Sequence, residues 1–148
     1  MGLFKFITDK GKNTIAQRDK VAAQAIKKSI GDLGLSKTVK VAVSGDRVNI
    51  SGNVPDQATR EKIILAAGNV AGIGVVDDQM KATARSKAAT MHTVKSGDTL
   101  SKISKRYYGN AMKYKIIFEA NKPMLKHPDK IYPGQMLRIP PLTKAELA

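Results

Sequence analysis

The residue types that carry most enzymatic and metal chemistry are scarce in this chain. It contains no cysteine, which excludes disulfides, thiolate nucleophiles and cysteine metal ligands. Its two histidines, His92 and His127, are far apart and lack the spacing of metal ligands, which argues against a structural zinc ion. We find no Ser-His-Asp arrangement, phosphate loop or glutamate pair of a glycosidase. We therefore expect a binding protein and not an enzyme.

One loop of small residues could bind an ion through its backbone: Gly68-Asn69-Val70-Ala71-Gly72-Ile73. It follows a predicted helix, whose last carbonyl groups are unpaired and lie at the negative end of the helix dipole. Neutral carbonyl oxygens suit a large monovalent cation. The competing interpretation is an ordinary helix-to-strand connection in which Gly68 and Gly72 supply positive φ. Asp77 and Asp78 are a weaker metal candidate, because successive side chains in a strand point to opposite faces.

Charge and hydropathy limit the classes of partner. The formal net charge of +14 favours loose association with polyanions, but the Lys and Arg residues are spread along the chain. With three Phe and four Tyr there is no RNA-reading aromatic motif, so we expect a solvated basic surface and no specific nucleic-acid partner. No apolar run approaches the roughly 18 residues of a membrane span, and the N-terminal residues do not form a secretory signal. We expect a cytoplasmic monomer without a membrane span.

The elements that must position the glycine loop are predicted by periodicity. Residues 17–33 have apolar side chains at helical spacing, and residues 39–50 alternate around Ser44-Gly45-Asp46 as a β-hairpin. Asp56 is well placed as the N-cap of a second helix, which Gly68 ends. A last strand follows the loop. The predicted order of this part is αββαβ.

A second domain is predicted after a linker without apolar periodicity. Beyond it, a short strand at His92, a helix from Thr99 to Tyr108, a helix over 112–120 and a strand at residues 134–140 give the order βααβ. The predicted fold class is therefore α+β with two small domains. We divide the chain into residues 1–82, a linker at 83–91, a second domain at 92–141 and a tail at 142–148.

The second domain resembles LysM domains. The resemblance is carried by His92-Thr93-Val94-Lys95-Ser96-Gly97-Asp98-Thr99-Leu100-Ser101, by Ile117-Phe118-Glu119-Ala120-Asn121 and by Ile131-Tyr132-Pro133-Gly134-Gln135-Met136-Leu137-Arg138-Ile139-Pro140. It implies a groove for N-acetylglucosamine-containing glycans between two loops. The residues implied in glycan binding are Gly97, Asp98, Thr99, Leu100 and Ile131. Several of them could equally serve only as a turn, a helix cap and core.

The first domain is similar to BON domains in Val48-Asn49-Ile50-Ser51-Gly52 and in the glycine loop with Val75-Val76-Asp77-Asp78-Gln79. The whole chain, including its start Met1-Gly2-Leu3-Phe4, resembles the cytoplasmic potassium-binding BON–LysM proteins. That resemblance implies K⁺ as the bound ion, held by six backbone carbonyls, those of Ile7, Lys10, Lys12, Gly68, Val70 and Ile73. The side chains of Lys10 and Lys12 would then bring positive charge close to a cation site.

Two functions remain open at this stage. In the preferred hypothesis the protein is a potassium sensor, in which the ion orders the N-terminal segment and the glycine loop and so changes docking between the BON and LysM domains. A ligand can shift such an equilibrium only by its differential affinity for the two states. The alternative is a peptidoglycan-binding protein that uses its LysM domain without ion dependence.

Overall fold

Two sheets, each packed with helices around its own apolar core, organise the part of the chain that the structure describes. The structure is a computed structural model and describes residues 2–6, 19–34, 38–70, 73–84, 88–122, 124–143 and 146. The mixed helix and strand content confirms the predicted α+β class.

The first sheet has four strands: β1 (Gly2–Lys5), β2 (Val39–Ser44), β3 (Arg47–Asp56) and β4 (Val75–Ala84). Their order is β1-β4-β3-β2; β3 and β4 are parallel and the other two pairs are antiparallel. Helices α1 (Asp19–Asp32) and α2 (Gln57–Gly68) pack against the sheet through one apolar cluster. Helix α2 is the crossover between the parallel strands β3 and β4, so its C-terminal end leads directly into the glycine loop.

The predicted cap of α2 is confirmed. The Asp56 carboxylate accepts the backbone N–H of Thr59 at 2.8 Å, and this hydrogen bond lowers the pKa of the carboxyl group. The helix has no single apolar stripe, because Glu61, Ile63, Ile64 and Leu65 are all buried although they point in different directions around the helix axis. Such burial needs a second packed face, and the second domain provides it.

The second domain contains β5 (Thr90–Thr93), α3 (Leu100–Tyr108), a short 3-10 helix (Ala111–Lys113), α4 (Tyr114–Ala120) and β6 (Met136–Ile139). Strands β5 and β6 pair antiparallel, and the helices pack on a separate apolar cluster around Ile103, Ile117 and Leu137. Thr99 caps α3 through the N–H of Lys102. The observed elements therefore follow the predicted order βααβ.

The first domain differs from the prediction at its N-terminus. Strand β1 was not predicted, so the observed order is βαββαβ and not αββαβ. Strand β4 ends at Ala84 and β5 begins at Thr90, so both strands extend into the predicted linker at 83–91. No helix within the described residues is long and apolar enough to span a bilayer.

Candidate ion site and domain interface

The glycine loop leaves the C-terminal end of α2 in a series of tight turns. The backbone N–H of Asn69 donates to the Leu65 carbonyl at 3.0 Å, that of Val70 to Ala67 at 3.3 Å and that of Ile73 to Val70 at 3.1 Å. The side chain of Ile73 is buried in the core of the first sheet. The loop is thus anchored at both ends, and it lies at the negative end of the α2 dipole.

Strand β1 and Phe6 lie beside this loop. It pairs with β4 from Gly2 opposite Asp78 to Lys5 opposite Val75, and the N–H of Phe6 then donates to the Gly74 carbonyl at 2.8 Å. The Phe6 ring lies against Gly68, where a Cβ atom would overlap the ring. Gly68 does not have positive φ, so its requirement for glycine comes from this close approach and not from backbone conformation.

The six predicted potassium ligands are only partly described. Gly68, Val70 and Ile73 lie together in the glycine loop, where the Val70 carbonyl already accepts one backbone hydrogen bond. Ile7, Lys10 and Lys12 lie outside the described residues, as do Ala71 and Gly72. Ile7 directly follows Phe6 in the sequence. The ligand set therefore stays a prediction, with three of its members on one described loop.

Within the loop, Asn69 connects the two domains. Its side-chain Oδ1 accepts the backbone N–H of Met136 at 2.7 Å, and its Nδ2 donates to the Met136 carbonyl at 2.7 Å. The backbone carbonyl of Asn69 accepts the hydroxyl of Tyr132 at 3.2 Å. Asn69 is 8% exposed. A residue between two predicted ion ligands thus holds the start of β6 with a two-point hydrogen bond.

A buried ion pair forms the second connection. Nε of Arg138 on β6 donates to Oε1 of Glu61 on α2 at 3.0 Å, and Nη2 forms an ion-pair contact with the same oxygen at 2.9 Å; the two side chains are 7% and 3% exposed. The other carboxylate oxygen, Oε2, accepts from the Gln57 side chain and from the backbone N–H of Ala89, both at 3.0 Å. Removing one partner from such a pair is costly, because a charge is left buried and unpaired.

Sequence reasoning missed both interface connections. Asn69 was considered only as part of the glycine loop and Arg138 only as part of the LysM pattern, and Glu61 was not singled out. The available signal was the lack of one clear polar face in α2. There, two charged residues, Glu61 and Lys62, are followed directly by three apolar residues, Ile63-Ile64-Leu65. That pattern could have indicated a helix packed on two sides.

The aspartate pair does not form a metal site. Asp78 is buried and accepts Nε of Arg60 at 2.7 Å and the N–H of Met80 at 2.9 Å. Asp77 is on the other side of the strand, with its carboxylate 3.8 Å from Arg47. Across the described ranges no three His, Asp or Glu side chains are grouped so that they could hold a metal ion.

The predicted glycan residues of the second domain mostly stabilise its fold. Gly97 has φ +88° in the turn, Thr99 caps α3 and Leu100 is buried in the core, against which the half-buried Ile131 packs. The carboxylate of Asp98 accepts the N–H of Lys95 at 2.9 Å and lies 3.0 Å from His92 Nε2, and these contacts lower its pKa. The side chain of Asp98 is thus directed into the domain.

Comparison with known proteins agrees with this architecture. The model of the BON domain matches residues 18–84, and that of the LysM domain matches residues 92–140. Over 147 residues the chain is 46% identical to an Escherichia coli protein named potassium binding protein Kbp. The alignment covers 95% of this chain and 99% of that protein. The chain belongs to this BON–LysM family. It is also 40% identical over 113 residues to an uncharacterized protein of Deinococcus radiodurans, covering 69% of this chain and 44% of that protein.

The family assignment names the two described units. The BON domain contains the glycine loop and Glu61, and the LysM domain contains Tyr132, Met136 and Arg138. The hydrogen bonds of Asn69 and the Glu61–Arg138 ion pair therefore join the BON domain to the LysM domain.

Proposed function

We propose that this protein binds K⁺ through backbone carbonyls at the glycine loop of its BON domain. The observation that carries the proposal is the 46% identity, over nearly the whole chain, with a protein named for potassium binding. The loop geometry supports it, because Phe6 packs on Gly68 and the next residue, Ile7, is a proposed ligand. The proposed ligand carbonyls are those of Ile7, Lys10, Lys12, Gly68, Val70 and Ile73. Binding of K⁺ by such carbonyl oxygens needs no carboxylate ligand.

In the same proposal, the ion regulates docking of the LysM domain. Asn69 lies between the proposed ligands Gly68 and Val70, and its side chain and carbonyl both bond to the LysM domain. Ordering the loop around an ion would fix Asn69 in the geometry that bonds Met136. Bound K⁺ would thereby favour the docked arrangement. The size of this effect equals the difference in K⁺ affinity between the docked and the undocked protein. The protein would act as a cytoplasmic, monomeric potassium sensor without catalytic activity.

The test has two readouts. Potassium-free protein is titrated calorimetrically with KCl, with NaCl at equal ionic strength as control, and the same samples are measured by small-angle X-ray scattering. We expect saturable heat with KCl alone and a smaller radius of gyration in its presence. No differential heat together with no compaction would overturn the proposal.

A variant separates ion binding from docking. Asn69→Ala removes both side-chain bonds to Met136 and leaves the backbone carbonyls of the loop in place. We expect it to retain the KCl heat and lose the compaction. Asn53→Ala, at an exposed position of β3, is the matched control and retains both. Compaction that persists in Asn69→Ala would show that docking does not depend on this residue.

Glycan binding through the LysM domain is the second candidate, supported by the match of residues 92–140 to the LysM domain. The side chains of Asp98 and Thr99 already accept backbone N–H groups, and Leu100 is buried in the core. A sugar acetamide would therefore be held by the backbone around Gly97 and by apolar contact with Ile131. Titration of labelled protein with an N-acetylglucosamine oligomer tests it. We expect amide shifts confined to residues 96–100 and 124–131, and their absence would refute it.

A further inference from the structure

We propose that the cavity between the BON and LysM domains is a binding site for a small phosphate monoester. The cavity has a volume of about 150 Å³ and lies between α1, α2 and the loop that follows α4. Its polar lining includes Lys28, Lys62 and Lys126 with one acidic residue, Asp32. The cavity adjoins the glycine loop, because the sulfur of its lining residue Met124 accepts the Asn69 side chain at 3.3 Å. The predicted glycan residues Gly97, Asp98, Thr99, Leu100 and Ile131 are not among its lining residues.

The charges around the cavity are unbalanced. Lys28 and Asp32 are 4.0 Å apart on α1 and compensate each other. Lys62 and Lys126 have no ion pair with any residue that the structure describes. Two positive charges at one cavity therefore have no ion-pair partner within 4 Å among the described residues. A phosphate monoester carries nearly the opposite charge at neutral pH, about −1.5 to −2.

Lys62 is the residue that points most strongly to an anion. It is only partly exposed, and burial followed by the nearby positive charge of Arg138 lowers the pKa of its ammonium group. The carboxylates of Asp56 and Glu119 act in the opposite direction but form no ion pair with Lys62, so the effect of burial dominates. Partial removal of an ammonium group from water without an ion-pair partner raises the free energy of the protein. A bound anion would supply that counter-charge, and lysine is a common phosphate ligand because it acts as a compact point charge.

The remaining walls define the rest of the ligand. They are apolar and come from both domains: Leu33, Leu65, Ala66 and Met124. A cavity of this volume accepts a molecule about the size of benzene. The site thus fits one phosphate group with a short apolar body. Because the lining includes Lys62 of the BON domain and Lys126 of the LysM domain, the ligand would bridge the two domains and stabilise the docked arrangement.

The test uses ethyl phosphate as the probe, with ¹⁵N-labelled protein in excess K⁺ and chloride added to hold ionic strength constant. We expect saturable amide shifts at Leu65, Ala66 and Met124, so that both sides of the cavity respond. Propionate, of similar size but with a single charge, should bind at least about tenfold more weakly. Uniform shifts across the basic surface, no saturation or equal binding of propionate would overturn the proposal.

Charge-matched variants locate the site. Lys62→Gln and Lys126→Gln should each weaken ethyl phosphate binding about tenfold, the loss of one charged hydrogen bond. Lys105→Gln, at an exposed position of α3, changes the net charge equally and should leave binding within about twofold. Lys126 is exposed, so its variant answers the question even if Lys62→Gln alters the fold. Equal losses in all three variants would refute a defined site.

Discussion

Replacing Arg138 with methionine would test how strongly the two domains are held together. In the native protein Arg138 donates a hydrogen bond from Nε to one oxygen of the buried Glu61 carboxylate at 3.0 Å, and its Nη2 lies 2.9 Å from the same oxygen. Hydrogen bonds to charged groups contribute about 1.5–3 kcal/mol each, and breaking a buried pair costs about 3–5 kcal/mol. Because Gln57 and Ala89 still donate to the other oxygen, we expect Arg138→Met to lower the free energy of unfolding by about 3 kcal/mol, the lower end of that range.

Urea denaturation followed by domain-resolved NMR measures this loss. Because the pair crosses the interface, we expect one transition for the native protein and two for Arg138→Met, one for each domain. Arg60→Met breaks the Arg60–Asp78 pair inside the BON domain and should destabilise that domain without uncoupling it. Lys122→Met breaks an exposed pair with Glu119 and should cost less than about 1 kcal/mol.

A double variant completes the test. Glu61→Gln combined with Arg138→Met removes both buried charges, so it should recover about half of the single-variant loss or more. The reasoning is refuted if Arg138→Met is no more destabilising than Lys122→Met. It is also refuted if Arg60→Met separates the two transitions equally well, because the loss would then not belong to the interface.

Three further predictions concern single residues. Gly68→Ala places a methyl group where the Phe6 ring lies, so the ring must move; we expect at least about tenfold weaker K⁺ binding by calorimetry and a loss of about 1–3 kcal/mol in urea denaturation. Tyr132→Phe removes the hydroxyl that donates to the Asn69 carbonyl and should cost about 1 kcal/mol in the same assay. Asp98→Asn should lower the melting temperature at neutral pH, with the difference from the native protein narrowing as the pH falls below about 4.

The sign of the Asp98 effect follows from the direction of its pKa shift. Hydrogen bonding to the Lys95 N–H lowers the folded-state pKa below the ordinary value of 3.8, so the ionised form stabilises the fold above that pH. This stabilisation is lost as the pH falls through the folded-state pKa. A difference that widened in acid would contradict it. For Gly68, the control is Gly31→Ala, where a Cβ meets no atom within 4 Å, and K⁺ binding should not change.

Local pattern predicted most of the elements. The alternation of Val39, Val41 and Val43 gave the hairpin, and Asp56 and Thr99 were placed correctly at the beginnings of helices. These features depend on neighbours a few residues away, which a sequence displays directly. Strand β1, with four residues, is too short to show a period, and its partners lie 70 to 76 residues further along the chain. Nothing local could therefore have predicted that strand.

The interface was not predictable in the same way. Glu61 and Arg138 are charged, and charged residues are almost never fully buried unless they are paired. Their pairing spans 77 positions and exists only when the two domains are in contact. The glycine loop was singled out from its composition, but the bonds of Asn69 to Met136 depend on the same docking. Tertiary contact, not local propensity, decides which polar residues of this protein are buried.

The pairing of β1 with β4 also orders events during synthesis. Strand β1 is translated well before its partner, Val75–Ala84, because the paired residues are 70 to 76 positions apart in the sequence. Until β4 has left the ribosome, β1 has no strand beside which to pair, and the Phe6 ring has no sheet edge to hold it against Gly68. Contacts of such large sequence separation form late, because the intervening chain must first be ordered. Any site built from both the N-terminal segment and the glycine loop is therefore assembled only after the core of the BON domain has formed.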